Sequence, residues 1–172
     1  KHWVFTNFSS MNFNLIPTII GNMSYSIIEY DYKFCKYRSV EKHEHETGSP
    51  CDCHDDIHGK MISAFFHGAK TLWFMSEAQE KRYMDRFPFL RDNDSVVLSS
   101  VFGDDFFAMA NEFQNEEKKE RSGWIILGSD SWIKGFEEAE QYCKDNNLEY
   151  ESVWNIPYHE LLQKLKTSEG FV

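Results

Sequence analysis

Short runs of β-branched and aromatic residues alternate along this chain with longer stretches in which apolar residues recur every three or four positions. That alternation constrains the fold more than any other feature. Strands separated by helices join as βαβ units rather than hairpins, and the sheet they build is mostly parallel. Strand candidates fall at 2–5, 25–30, 71–75, 96–101, 124–127 and 150–154. Among the helices, Met61, Ile62, Phe65 and Phe66 mark one face that Gly68 closes. Ser76 and Gln79 have capping-box spacing and open a helix that must stop before Pro88. Further helices are predicted from Asp104, with Phe106, Ala110 and Phe113 inward, over 133–145, and from Pro157, with Tyr158, Leu161, Leu162 and Leu165 on one side. The stretch 39–59 is charged, His-rich and contains Gly48 and Pro50, so it reads as a loop or insertion. The fold class is α/β, with Rossmann-like parallel sheets flanked by helices.

A length of 172 residues suits one ordinary domain or parts of two. The charged stretch 115–122 (NEEKKERS) is the best linker, so the expected division is 1–120 and 121–172. The chain opens on Lys1 before an apolar run and stops at Gly170-Phe171-Val172, which reads as the start of a strand, so a fragment is expected. A net charge of −10 argues against nucleic acid or an anionic membrane as partner, because both need a basic face. It does not argue against a phosphate held in a local pocket. No apolar run approaches the roughly 18 to 20 residues that cross a bilayer, and no signal peptide is visible, which makes a cytoplasmic location the expectation.

Residues 123–146 combine a buried strand, a Gly/Ser loop ending in Lys-Gly, and an amphipathic helix. In parallel sheets ligands gather beyond the carboxyl ends of strands, and a helix N-terminus offers unpaired N–H groups to an anion. Gly128 is expected to turn the chain, Ser129 and Ser131 to donate hydroxyls, and Lys134, beside Gly135, to face phosphate oxygens. The loop is neither a Walker A motif nor GxGxxG. Trp132 lies within it and could stack on a base or sugar, or pack between domains.

A second run, EYDYKFCKYR at 29–38, places Glu29, Asp31, Lys33, Lys36 and Arg38 among four aromatics after a strand. Glu29 and Asp31 share a strand face by alternation, which allows a paired acidic site acting as general base or hydroxyl clamp. Lys33 and Arg38 are candidates for lining an interdomain cleft in which an acceptor would sit. A third constellation gathers His43, His45, Cys51, Cys53, His54 and His58, with Cys35 upstream. Thiolate and imidazole are preferred zinc ligands, and a structural zinc could supply this polar stretch with the core it lacks. Cys51, Cys53, His54 and His58 are the candidate ligands, although one residue between the cysteines is fewer than the usual two to four. Free thiols and solvent-facing histidines are the alternative. Cys143 reads as a small core residue, His67 and His159 as surface residues, and the Phe65/Phe66, Phe87/Phe89 and Phe106/Phe107 pairs as core.

Several strings resemble glycosyltransferases that use sugar nucleotides and have the two-domain GT-B architecture, in particular family 4-like enzymes of marine microbial and viral type. They are YSIIEYDYKFCKYRS (25–39), the CDC–HGK region (51–60), FMSEAQEKRYMDRFPFL (74–90), VLSSVF (97–102) and GSDSWIKG (128–135), and together they span most of the chain. The resemblance implies that 1–120 is the later part of an acceptor-side domain and 121–172 the start of a donor-side domain. It implies that Lys134 contacts the donor diphosphate, that the acidic motif holding sugar and ribose lies beyond Val172, and that no metal is required for catalysis. An arginine usual in this loop is not evident. The implied reaction is transfer of a sugar from a nucleoside-diphosphate donor to a hydroxyl of a glycan, lipid or small-molecule acceptor, with little turnover by a fragment. Homodimerisation through surfaces the rest of the protein would cover is left open. Two other readings stand beside it: a non-enzymatic α/β binding module with a zinc-stabilised Cys/His loop, and a flavodoxin-like nucleotide-binding domain.

Overall fold

The computed structural model describes residues 1–99, 102–115, 121–129 and 132–172, the side chains of 113–115 and 132 not included. The chain divides into two compact units, Lys1–Val101 and Phe102–Val172. Most of the charged stretch expected to link domains lies outside the described residues, and the helix before it belongs to the second unit.

In the first unit the order is β1 (His2–Thr6), two 3-10 turns, α1 (Ile16–Asn22), β2 (Ser24–Glu29), α2 (Val40–Thr47), α3 (Ile57–His67), β3 (Thr71–Phe74), α4 (Glu77–Arg86), a 3-10 turn (Pro88–Asp92) and β4 (Asp94–Val97). All pairings are parallel and the strands lie in the order β1-β2-β3-β4. Each right-handed crossover steps the same way across this sheet, so the connecting helices stack on one face. The side chains meeting them come from alternate positions. Tyr25, Ile27 and Glu29 of β2 and Leu72 and Phe74 of β3 are fully buried, with Ile27 opposite Leu72 and Glu29 opposite Phe74. Aromatic rings fill the space between sheet and helices. Tyr83 of α4 stacks on Phe66 at 5.0 Å and takes the edge of Phe34 at 5.1 Å, while Tyr25 stacks on Phe65 and donates its hydroxyl to the Phe65 carbonyl.

The stretch 39–59 is not a loop. It contains α2 and the first turn of α3. Ser39 caps α2 by accepting a hydrogen bond from the Lys42 N–H, and Gly48 ends it in the left-handed region at φ 69°. Asp56 caps α3 through the Gly59 N–H. High charge hid α2, which buries His43 alone, and the first turn of α3, whose apolar face begins only at Met61 and Ile62. At Ser76 the expected cap is present, with Ser76 Oγ accepting from the Gln79 N–H. The Gln79 side chain reaches back to the Met75 N–H, one residue before the cap, and donates to the Asp31 carbonyl. Strand β4 begins two residues earlier than the sequence suggests. Asn93 fixes its entry by donating to the carbonyls of His67 and Ala69. Residues 100–101 of the expected strand lie outside the described residues.

The second unit contains α5 (Asp104–Asn115), β5 (Trp124–Leu127), a 3-10 turn (Trp132–Lys134), α6 (Phe136–Asp145), β6 (Tyr150–Val153), α7 (Tyr158–Thr167) and β7 (Gly170–Phe171). Its sheet is parallel in the order β6-β5-β7, so the chain reverses direction across the sheet at β5. The helix expected from 133 starts at Phe136, because Gly135 adopts φ 67° and separates it from the preceding turn. A small core of Ile126, Ala139 and Cys143 is backed by Trp124, Phe136, Leu148, Tyr150 and Val172. On α7, Leu161 and Leu162 are half-buried whereas Tyr158 and Leu165 are exposed. On α5, Phe106 and Ala110 are half-buried and Phe107 is exposed; the Phe113 side chain lies outside the described residues. Phe65, Phe66 and Phe87 are core as expected, but Phe89 is 44% exposed.

Gly59 shows how tightly α3 is seated. A Cβ there would collide with the Cys53 carbonyl and come within 2.7 Å of the His54 Cα. Both obstacles are backbone, so relief requires moving the 51–59 segment. Gly59→Ala is therefore expected to destabilise the first unit by about 2 kcal/mol or more. A denaturant titration showing an unchanged midpoint would disprove this account of the packing.

Candidate metal centre

Four side chains converge where α2 packs against the segments on either side of it. Cys35 comes from the turn after β2, His43 from the middle of α2, and Cys51 and Cys53 from the connection to α3. All four are buried, and one ligand atom from each lies within 4.8 Å of the others. His43 Nδ1 is 3.3 Å from Cys53 Sγ and 3.7 Å from Cys35 Sγ. Its other nitrogen, Nε2, faces the Asp52 carboxylate at 4.0 Å, and its ring stands edge-on to Tyr37. The cysteines are free rather than disulfide-bonded. Burial pushes the Cys51 thiol up to about 12 and raises that of Cys35, because it disfavours the thiolate form. Three thiols and one imidazole converging in this way could hold a metal ion.

Of the four ligands expected from sequence, Cys51 and Cys53 belong to this cluster; His54 and His58 do not. His54 Nε2 lies 3.5 Å from Asp55, and His54 packs edge-on to Phe87. His58 Nε2 donates to the Lys33 carbonyl at 2.8 Å and the ring packs on Phe13. His45 is exposed beside Glu46. The two residues not assigned, Cys35 and His43, are separated from the cysteine pair by the length of α2. A helix over 40–47 is the signal that would have brought them in, since it carries His43 back across the base of the segment. His67 and His159 are exposed surface residues.

The acidic pair at the end of β2 meets a buried cation. Lys33 is 3% exposed; its ammonium lies 3.2 Å from Glu29 Oε1, 3.1 Å from Asp31 Oδ1 and 5.1 Å from the Phe8 ring centre. Arg38 pairs with Asp31 from the other side and donates to Asn7 Oδ1. Glu29 is fully buried and its Oε2 has no hydrogen-bond partner among the described residues. Burial raises its pKa to about 8 despite the attraction of Lys33, whereas Asp31, held by Arg38 and Lys33, is kept below the ordinary carboxylate range against its own burial. The pair is thus divided into one proton carrier and one permanent anion. Neither carboxylate stands open like a general base awaiting substrate.

In the second unit, Gly128 extends the ladder by donating its N–H to the Val153 carbonyl. A Cβ there would meet Ser152 Oγ at 2.4 Å, a side-chain contact on β6. Ser129 is half-buried, Ser131 and the Trp132 side chain lie outside the described residues, and Lys134 is exposed at the end of the 3-10 turn. Gly135 is the N-cap of α6, whose first turn already carries Glu137 and Glu138. A cavity of about 280 Å³ in this unit is lined by Gly123, Trp124, Glu149, Tyr150 and Lys164, among others. It lies at the amino ends of β5 and β6, opposite the loop. No described helix is long and apolar enough to cross a membrane. Compared with known proteins, the chain matches no family model, no curated protein and no solved structure.

The buried carboxyl gives a signed pH dependence. An acid whose pKa is higher folded than unfolded binds its proton more tightly in the folded state. Its contribution to stability is therefore complete below about pH 4.5 and is lost as pH rises toward about 8. Glu29→Gln should remove that slope, at most about 1.4 kcal/mol per pH unit for one proton. Denaturant midpoints of both proteins across this range test it, and parallel pH profiles would refute it.

Proposed function

We propose that the chain is part of a sugar-nucleotide-dependent glycosyltransferase of the two-domain GT-B kind, with a first unit held together by structural zinc. The observation that carries the zinc half is the burial of Cys35, His43, Cys51 and Cys53 with their ligand atoms inside 4.8 Å. Cys₃His is a zinc donor set, four protein ligands leave no open position, and such closed sites stabilise folds rather than perform chemistry. The metal would tie the turn after β2, α2 and the entry to α3 to one point, in a segment with little apolar material of its own. Zinc would take the cysteines as thiolates and release their protons on binding.

The transferase half is supported by the second unit. Strand order β6-β5-β7 puts a topological switch point at the carboxyl end of β5, where ligands of parallel sheets bind. The loop that follows is the one whose GSDSWIKG string resembles the donor-binding loop of such enzymes. Lys134 supplies a cation there, and it must outweigh Glu137 and Glu138 in the first turn of α6. Charge developing on a departing nucleoside diphosphate would be stabilised by the Lys134 ammonium and by backbone N–H groups before Phe136. The competing reading is a zinc-held α/β module that docks a partner and binds no nucleotide.

Elemental analysis should find about one zinc per chain, lost in Cys53→Ser and His43→Ala but kept in His54→Asn and His58→Asn. Cobalt substitution should give a thiolate-to-metal absorption band. Metal-free protein that melts at the same temperature as zinc-loaded protein would sink the structural role.

For the transferase, a UDP or GDP sugar should raise the melting temperature of the intact protein. Lys134→Ala should weaken that binding about tenfold, the loss of one charge-assisted contact. If no nucleotide sugar shifts the melting curve, the module reading replaces the transferase.

A further inference from the structure

A cavity of about 130 Å³ in the first unit has an unusual lining for an acidic protein. Its walls are Ser9, Phe13, Lys33, Cys35, Lys36, Arg38 and His58: three cations, an imidazole and no carboxylate. The whole chain carries 28 acidic residues against 18 lysines and arginines, so this concentration of positive charge is local. The site also lies where the topology favours ligands. Ser9 and Phe13 follow β1 and the 33–38 segment follows β2, past the carboxyl ends of two adjacent parallel strands.

The cations divide into a fixed part and an available part. The Lys33 ammonium is committed to Glu29 and Asp31, and its carbonyl holds His58 through the Nε2–H. Arg38 spends its Nε and Nη2 on Asp31 and Asn7, with Nη1 only 3.4 Å from Ser9 Oγ. Among the described residues the carboxyls that touch this group, Glu29 and Asp31, sit behind the cations rather than in the lining. Lys36 is exposed. Its Nζ has the Tyr37 ring at 5.3 Å and no carboxylate partner among the described residues. The wall that presents Lys36 is anchored on one side by Cys35 of the metal centre and on the other by Arg38. Beside the charges, Phe13 offers an apolar flank.

We propose that this cavity binds the oxyanion of an acidic acceptor, a phosphate monoester or carboxylate, with Lys36 and the remaining Arg38 Nη1 protons as donors and Phe13 against its carbon skeleton. The word acceptor rests on the transferase reading; the anion site does not. A neutral acceptor would leave Lys36 and Arg38 facing a group that cannot complement them. An acidic one also meets the long-range attraction of a positive cleft.

Zinc-loaded protein titrated calorimetrically with glucose 6-phosphate, glucuronate, inorganic phosphate and glucose tests this. Glucose 6-phosphate is expected to bind, glucuronate and phosphate more weakly, and glucose not at all. Lys36→Gln, at an exposed and unpaired side chain, should fold normally and weaken glucose 6-phosphate binding about tenfold. Lys134→Gln should leave that affinity unchanged. Phe13→Glu, which places a carboxylate in the cavity, should abolish binding while zinc content stays the same. Equal affinity for glucose and glucose 6-phosphate, or an unchanged affinity in Lys36→Gln, overturns the site. Binding that is lost in Lys134→Gln instead moves the anion to the β5 loop and likewise overturns it. Anion binding without any response to nucleotide sugars keeps the site and discards the transferase; a nucleotide-sugar response without anion binding does the reverse.

Discussion

The first unit depends on one buried ammonium. Lys33 Nζ joins the carboxyl of Glu29, at the end of the central strand β2, to Asp31 and through it to Arg38. Its backbone carbonyl receives His58 from the first turn of α3, and the Phe8 ring covers the charge from the β1 side. A single residue thus ties two strand exits to a helix. Removing one member of such a buried set leaves the others unpaired, at a cost of about 3 to 5 kcal/mol, far more than any exposed ion pair on this surface contributes. The set is also asymmetric. Desolvation of Glu29 outweighs its attraction to Lys33, so the carboxyl holds a proton to about pH 8 while Asp31 stays charged. Lys33 and Arg38 both line the neighbouring cavity, whereas Glu29 and Asp31 do not. Positive charge is left for the neighbouring cavity, which is how a protein of net charge −10 can present a cationic site.

What the Lys33 set does for the turn after β2, the Cys/His cluster does for the next twenty residues. Between Ser39 and Gly59 the fully buried side chains are His43, Cys51 and Cys53. Hydrophobic burial alone provides little to hold α2 in place. Burial drives the Cys51 and Cys35 thiols toward the neutral form. A bound metal would reverse that, converting a poorly compensated polar cluster into the strongest cross-link in the unit. The two devices share the segment 33–35, so the geometry of the cavity wall is set by both.

Much of this was legible in the sequence, for reasons that can be named. Strands β1, β2, β3, β5 and β6 follow apolar runs bounded by turn residues, and parallel pairing follows from the helices between them. Ser76 announced its helix through the cap. The stretch 39–59 was misread because its helices bury too little to show an apolar period, so the caps Ser39 and Asp56 were the better guide. That error carried into the metal ligands. With 39–59 taken as a loop, Cys51 and Cys53 pair most naturally with His54 and His58, which are close in sequence. Once α2 forms, His43 is brought back beside Cys35 and the cysteine pair, and spacing along the chain ceases to matter.

The two units differ in how much they bury. The first has a broad aromatic core, the Lys33 set and the buried Cys/His cluster. In the second, the fully enclosed cluster is Ile126, Ala139 and Cys143, α7 buries no residue completely, and Trp154, Tyr158 and Phe171 are more than half exposed. Little apolar area is removed from water there, so its stability margin is narrow. A ligand at about a hundred times its dissociation constant adds about 2.7 kcal/mol to whatever binds it, a large fraction of such a margin but a small one of a well-filled core. Occupancy of the β5 loop would therefore act first on the order of the second unit itself, firming β5, α6 and β6 around Gly128 and Gly135. Zinc and an acidic acceptor would act on a unit whose sheet and helices are already packed.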